Sequence, residues 1–206
     1  MSLSVYALFI TTFFFVSITP GMCMTLAMTL GMTVGIRRTL YMMIGELIGV
    51  GLVAVLTILG VAALMLQYPQ LFFALKWCGG AYLLYLGIQL WRSKGKMAIK
   101  CDSPSESQAT AGSLFSQGFI TAVANPKGWA FFIALLPPFI DNTQPLLMQS
   151  VIMLAMILAL EFLSLLGYAS GGKALSHLLR KRGNVQIMNR IAGTLMMGVS
   201  VWLALG

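Results

Sequence analysis

The sequence has few charged residues. Only 9% of its 206 residues are Asp, Glu, Lys or Arg, whereas 59% are hydrophobic, and the mean hydropathy is +0.90. A soluble domain is roughly 45–50% apolar and about 25% charged, so this chain lacks the charge to cover a water-soluble core. The composition excludes an ordinary soluble domain and predicts an all-α membrane protein.

Residue types that bind metals or act as nucleophiles are also scarce. There is one histidine, His177, and the three cysteines, Cys23, Cys78 and Cys101, form no CxxC pair. A disulfide framework, a metal cluster and a redox pair are therefore all disfavoured. We predict that the protein is not an enzyme, that it has no cofactor and that it has no resident metal.

Six long apolar stretches are separated by short polar breaks. A bilayer core of about 30 Å requires roughly 20 apolar residues per helix, and each stretch supplies about that many. The uncharged run over 1–36 is about twice as long as a signal-peptide core, so we expect it to remain in the mature protein. The predicted spans are 4–35, 39–66, 71–91, 114–140, 146–171 and 187–205.

The net charge of +8 comes from cations that alternate between the breaks. Short cytoplasmic loops of membrane proteins collect Lys and Arg, so this charge is no signal for nucleic-acid binding. Cations occur in the first, third and fifth breaks and are missing from the second and fourth. The pattern predicts that both termini face the periplasm. The cations are Arg37, Arg38, Arg92, Lys94, Lys96, Lys100, Lys173, Arg180, Lys181 and Arg182, with Arg190 just beyond.

Two of the six stretches contain a helix breaker near mid-membrane depth, Thr19-Pro20-Gly21 and Asn125-Pro126-Lys127-Gly128. Proline removes a backbone donor and clashes with the preceding turn. The polar groups that are freed must be satisfied by protein or by a water-filled cavity. A simple proline kink is the alternative interpretation of either break.

The two breaks occupy equivalent positions in the two halves of the chain. Aligning Pro20 with Pro126 also aligns Phe13 with Phe119 at the same offset. On the predicted orientation the two halves are inverted repeats of three helices, which is the architecture that secondary transporters use around a midplane site. The predicted units are a first repeat over 1–91, a cytoplasmic linker over 92–112 and a second repeat over 113–206.

The chemistry of such a site follows from the ends of the half-helices. A helix that starts after a break points unpaired N–H groups and a positive dipole end towards the membrane centre, where a carboxylate can bind. A zwitterionic amino acid supplies that carboxylate. The predicted substrate-binding residues are Thr19, Pro20, Gly21, Asn125, Pro126 and Lys127.

Four ionisable residues lie at membrane depth, Glu46, Lys76, Lys127 and Glu161. Such residues are costly and indicate function by default. Low dielectric favours the neutral form of a carboxyl group, which suits a proton carrier, so Glu46 and Glu161 are predicted to couple protons or to bind the substrate ammonium. The alternative is a structural carboxyl group, bonded to a neighbouring helix or paired with Lys127. Lys76 can reach the interface by snorkelling.

Three motifs resemble those of the lysine-exporter (LysE) superfamily. Ser17-Ile18-Thr19-Pro20-Gly21 is similar to its "PGP" first-helix signature, and Asn125-Pro126-Lys127 to its fourth-helix "NPK" signature. The segment Gly79-Gly80-Ala81-Tyr82-Leu83-Leu84-Tyr85-Leu86-Gly87 resembles its third-helix pattern. The order and spacing of the motifs in a chain of this size make the resemblance strong. The branch that the sequence resembles most is the RhtB type, named for resistance to homoserine and threonine.

This resemblance implies a bacterial inner-membrane exporter of amino acids or close derivatives that is driven by the proton gradient. The substrates that we expect are small, neutral amino acids, homoserine- or threonine-like, or related derivatives. The sequence departs from the family pattern at Met22, in place of the second proline, and at Val50, in place of a common acidic residue; Glu46 lies one turn earlier. Glu161 matches an acidic position that is common in the fifth helix of the family.

The sequence is also compatible with other functions. A cation or metal exporter of the same superfamily is the main alternative, although it requires several converging ligands. A small membrane scaffold with kinked helices is another. Expected partners are the amino acid, protons and lipid. Glycine pairs at small-xxx-small spacing, Gly31 with Gly35, Gly45 with Gly49 and Gly167 with Gly171, are compatible with a homodimer or with packing inside one bundle.

Overall fold

The computed structural model describes residues 3–93, 110–140, 144–180 and 182–205. Within these ranges the chain is all-helical, with eight α-helices, one short 3₁₀ turn and no strand. Most of the predicted linker over 92–112 falls outside the described residues. The helices are α1 (Leu3–Ile18), α2 (Met22–Thr33), α3 (Ile36–Gln67), α4 (Pro69–Arg92), α5 (Ala111–Val123), α6 (Pro126–Leu135), α7 (Leu146–Arg180) and α8 (Arg182–Leu205), and the 3₁₀ turn is Pro137–Phe139.

Both predicted breaks interrupt a helix in the structure. The first separates α1 from α2, which are bent by 57° relative to each other, and the second separates α5 from α6. A further kink lies in α7 at Gly172, where φ is 40° and ψ is −125°. Residues with a side chain rarely adopt such a positive φ, and the predicted span 146–171 ends one residue before this kink.

Some of the helices can cross a membrane on their own. Among the described residues, Ile36–Gly60 and Leu146–Gly172 are long and apolar enough, and the bent α1–α2 pair adds a third crossing if it is one span. The other helices lie where spans were predicted. The six-span arrangement stays a prediction, whereas the all-α class and the apolar helices agree with a membrane protein.

The core divides into two clusters on either side of the breaks. One joins α1 to α6 through aromatic residues, and Phe9 packs edge-on against Phe139 with ring centroids 5.1 Å apart. The other is rich in methionine and joins α2 to the start of α3, where Met42 and Met43 are fully buried. The two breaks therefore lie between two packed regions.

Helices α3 and α5 touch through their backbones. A Cβ atom on Gly45 would collide with the carbonyl of Phe115, and one on Gly118 would collide with the carbonyl of Met42. Gly49 faces Ala122 in the same seam. Small residues allow such close approach, so the Gly45 and Gly49 spacing is used inside the bundle.

Candidate functional site

The first break leaves helix-terminal carbonyl groups that need donors, because Pro20 has no N–H. The Thr19 hydroxyl donates to the Phe15 carbonyl at 2.7 Å, and the Thr19 N–H donates to the Val16 carbonyl at 3.2 Å. Thr19 thus closes the end of α1 with its own side chain and backbone.

A tyrosine from another helix donates a hydrogen bond to a further carbonyl group at the end of α1. The hydroxyl of Tyr168, on α7, donates to the Ile18 carbonyl at 2.7 Å. Tyr168 is almost fully buried, with 2% of its surface exposed. This bond fixes the end of α1 to α7 at the point where the helix breaks.

Replacing Tyr168 by phenylalanine is expected to reduce the free energy of unfolding by about 1–3 kcal/mol, because the partly buried Ile18 carbonyl loses its donor. Thermal unfolding of the purified protein in lipid nanodiscs measures the change. Tyr41→Phe is the matched control, since the Tyr41 side chain is about half exposed. Equal unfolding temperatures of the two variants would contradict the role assigned to Tyr168.

The start of α2 presents backbone donors to the centre of the protein. Gly21 is the N-cap residue and has extended backbone angles, and no described side chain caps the helix. The first bond of this turn runs from the Thr25 N–H to the Gly21 carbonyl at 2.9 Å. The N–H groups before Thr25 have no acceptor within the helix, so they and the helix dipole favour a bound anion.

At the second break, carbonyl groups at the end of α5 accept hydrogen bonds from residues of the same segment. The indole N–H of Trp129 donates to the Val123 carbonyl at 2.8 Å, and the Asn125 N–H donates to the Ala122 carbonyl at 3.2 Å. Helix α6 begins at Pro126. The side chains of Pro126 and Lys127 lie outside the described part of the structure, so their predicted role in binding substrate stays a prediction.

A cavity of about 70 Å³ lies between the two breaks. It has room for several water molecules. Its walls are mostly apolar, with aromatic rings from α1 and α6 and a few polar groups, a composition that is typical of small-molecule sites. The rings are Phe13, Phe131 and Phe132, and the polar lining residues are Ser17, Thr19, Cys23, Glu46, Asn125 and Glu161.

Glu161 reaches this cavity from α7 and is 9% exposed. The Ser17 hydroxyl, on α1, donates to Glu161 Oε2 at 2.6 Å. Such a short bond is typical of a hydroxyl that donates to an ionised carboxylate. Glu161 is therefore held against the end of the first half-helix.

Glu46 reaches the same cavity from α3 and is completely buried. Neither of its carboxyl oxygens has a hydrogen-bond partner in the described structure. The Cys23 thiol and the Glu161 carboxyl group are close enough to interact with it electrostatically. The Asn125 side-chain amide donates to Cys23 Sγ at 3.8 Å, so this part of the cavity connects the two halves of the chain.

Most of the predicted site residues come together. Thr19, Gly21, Asn125, Glu46 and Glu161 all line the cavity. Pro20 lies at the break itself, and no group of three or more metal-ligating side chains occurs among the described residues.

Sequence reasoning missed the roles of Ser17, Cys23, Tyr168 and Trp129. A polar residue in an apolar helix next to a break was the available signal for Ser17, and a hydroxyl group within the apolar span 146–171 was the signal for Tyr168. For Cys23 there was none, because a lone cysteine usually behaves as a small buried hydrophobe.

Comparison with known proteins finds one matching family and several related membrane proteins. The sequence model of the LysE type translocator family matches residues 14–206. The homoserine/homoserine lactone efflux protein of Salmonella typhimurium is 30% identical over 188 residues, which cover 91% of this chain and 90% of that protein. The leucine efflux protein of Salmonella choleraesuis is 30% identical over 166 residues, 78% of this chain and 76% of its own.

An uncharacterized membrane protein of Vibrio cholerae is 30% identical over 204 residues, which cover 99% of this chain and 98% of that protein. No solved structure matches the chain significantly. The match to the family model extends over both halves of the chain and includes both breaks.

Proposed function

The chain belongs to the LysE type translocator family, and we propose that it is a secondary transporter that exports small neutral amino acids across the bacterial inner membrane. The relatives named above are efflux proteins for homoserine, homoserine lactone and leucine. We propose that export of the amino acid is driven by the proton gradient.

The observation that carries the proposal is the cavity between the two breaks, because it offers a counterpart for each part of a neutral amino acid. The N-terminus of α2 suits the substrate carboxylate. The Glu161 carboxylate suits the ammonium group. The rings of Phe13, Phe131 and Phe132 suit a short apolar side chain.

We further propose that the protein has six spans arranged as two inverted repeats, over 1–91 and 113–206, with both termini in the periplasm. The order of helices supports this arrangement, since each half contains a broken helix, a long helix and a further helix: α1–α2, α3 and α4, then α5–α6, α7 and α8. Alternating exposure of a midplane site is the expected use of such repeats.

Transport by the purified protein tests this function. Proteoliposomes are loaded with a panel of labelled amino acids, with and without an imposed pH gradient, and Glu161→Gln serves as the variant that lacks the ammonium partner. We expect gradient-dependent movement of a small neutral amino acid by the wild type, and at least about a tenfold loss in the variant, since a charge-assisted bond is removed.

Absence of flux for every amino acid, from wild-type protein that unfolds cooperatively, would overturn the proposal. Equal flux in the wild type and in Glu161→Gln would show that the ammonium group binds elsewhere.

A further inference from the structure

Two buried carboxyl groups from different halves of the chain meet in one cavity, and we propose that they have separate tasks. Glu46 carries the proton, and Glu161 binds the substrate ammonium group. This division rests on the proposed function and adds to it a reason why proton and substrate exchange for one another.

The two carboxyl groups form a pair of potential like charges. They are close enough to interact electrostatically, and both are almost completely buried. Two like charges this close in a low-dielectric site cannot both persist without a compensating cation. The described residues that line the cavity include no cation, so we place one proton on the pair before substrate binds.

Hydrogen bonding decides which of the two carboxyl groups holds that proton. Glu161 accepts a 2.6 Å hydrogen bond from Ser17, which stabilises its ionised form. Glu46 has no partner for either oxygen in the described structure, and a buried charge without partners costs several kcal/mol. The proton therefore resides on Glu46.

The surroundings of Glu46 agree with this placement. Among the described side chains, the titratable groups that face it are Cys23 from α2 and Glu161 from α7. On α5, Gly118 packs against the backbone of α3 at Met42 and Glu46, and it carries no titratable side chain. None of these groups is a cation that would hold Glu46 ionised.

Binding of the substrate determines when Glu46 loses its proton. An ammonium group bound at Glu161 supplies the positive charge that lets both carboxyl groups ionise. Glu46 then releases its proton to water in the cavity and on to the cytoplasm. After the amino acid leaves on the other side, Glu46 takes up a proton from there. Because the pair of carboxyl groups holds one cation at a time, either the proton or the ammonium group, proton and substrate exchange one for one.

Substituting each glutamate by glutamine separates the two tasks, because glutamine resembles a permanently protonated glutamate. Three quantities are measured in proteoliposomes with the amino acid that the wild type carries: exchange of labelled for unlabelled substrate without a gradient, accumulation driven by a pH gradient, and proton movement reported by an internal pH dye.

For Glu46→Gln we expect gradient-driven accumulation and proton movement to be lost, and exchange to be reduced much less than either of them. For Glu161→Gln we expect all three to fall at least about tenfold, as the loss of a charge-assisted bond implies. Glu46→Asp keeps an ionisable group at this position and is expected to restore proton movement, which controls for folding.

The apparent affinity supplies an independent readout. In the wild type a lower pH should weaken substrate binding, because protons compete for the same pair. In Glu46→Gln the affinity should be independent of pH between about pH 6 and pH 8, since the competing site is gone.

Proton-coupled accumulation by Glu46→Gln would overturn the division of tasks while leaving the exporter function intact. Exchange at wild-type rates by Glu161→Gln would overturn it as well. Absence of amino-acid flux in folded wild-type protein would overturn the exporter function itself, and the division with it.

Discussion

Replacing Gly45 by alanine is expected to separate α3 from α5 and to lower the free energy of unfolding by about 3 kcal/mol or more, which is the upper end of what overpacking costs. The added Cβ atom would collide with the carbonyl of Phe115. That obstacle is backbone, so it cannot rotate out of the way as a side chain can. Thermal unfolding in nanodiscs measures the loss.

The same helix provides the control for this prediction. Gly60 is exposed, and no described atom lies within 4 Å of the position that its Cβ would occupy. Gly60→Ala is therefore expected to leave the stability unchanged or to raise it by up to about 1 kcal/mol through helix propensity. Equal unfolding temperatures for the two alanine variants would show that the α3–α5 seam is looser than the structure indicates.

Replacing Pro20 by alanine is expected to reduce transport by about 100-fold while the protein remains folded. Alanine restores an N–H that can donate to the Val16 carbonyl, and the 57° bend between α1 and α2 then loses its cause. Straightening the bend moves the N-terminus of α2 away from the cavity, and a displacement of about 1 Å can cost 100-fold in rate. Initial rates of amino-acid uptake into proteoliposomes measure the effect.

Pro145 offers a matched control, because it is exposed and precedes α7 without interrupting a helix. Pro145→Ala should transport at the wild-type rate. Wild-type transport by Pro20→Ala would mean that the break is only a kink, as in a membrane scaffold.

Helix placement was largely predictable from the sequence. In lipid the backbone must satisfy its own hydrogen bonds, so long apolar runs have few structures open to them, and α3 and α7 follow the predicted spans 39–66 and 146–171 with shifts at their ends. Pro20 and Pro126 marked the two breaks for an equally local reason, since proline removes a donor wherever it occurs.

Side-chain contacts across the site were less predictable. The sequence singled out Glu46 and Glu161 because intramembrane charges are rare, but left open which of them carries the proton. Ser17 and Glu161 are 144 residues apart, and the bond between them depends on how α1 packs on α7. No spacing within one helix contains that information.

By itself the sequence determined that the chain is helical and apolar, where its helices break and which buried charges require an explanation, because these properties follow from local backbone chemistry and from the cost of polar groups in lipid. Only the tertiary structure decided that the carboxyl groups of Glu46 and Glu161 share one cavity and that Ser17 binds one of them and not the other. The reason is that partners from separate helices are chosen by packing, which depends on all the helices together.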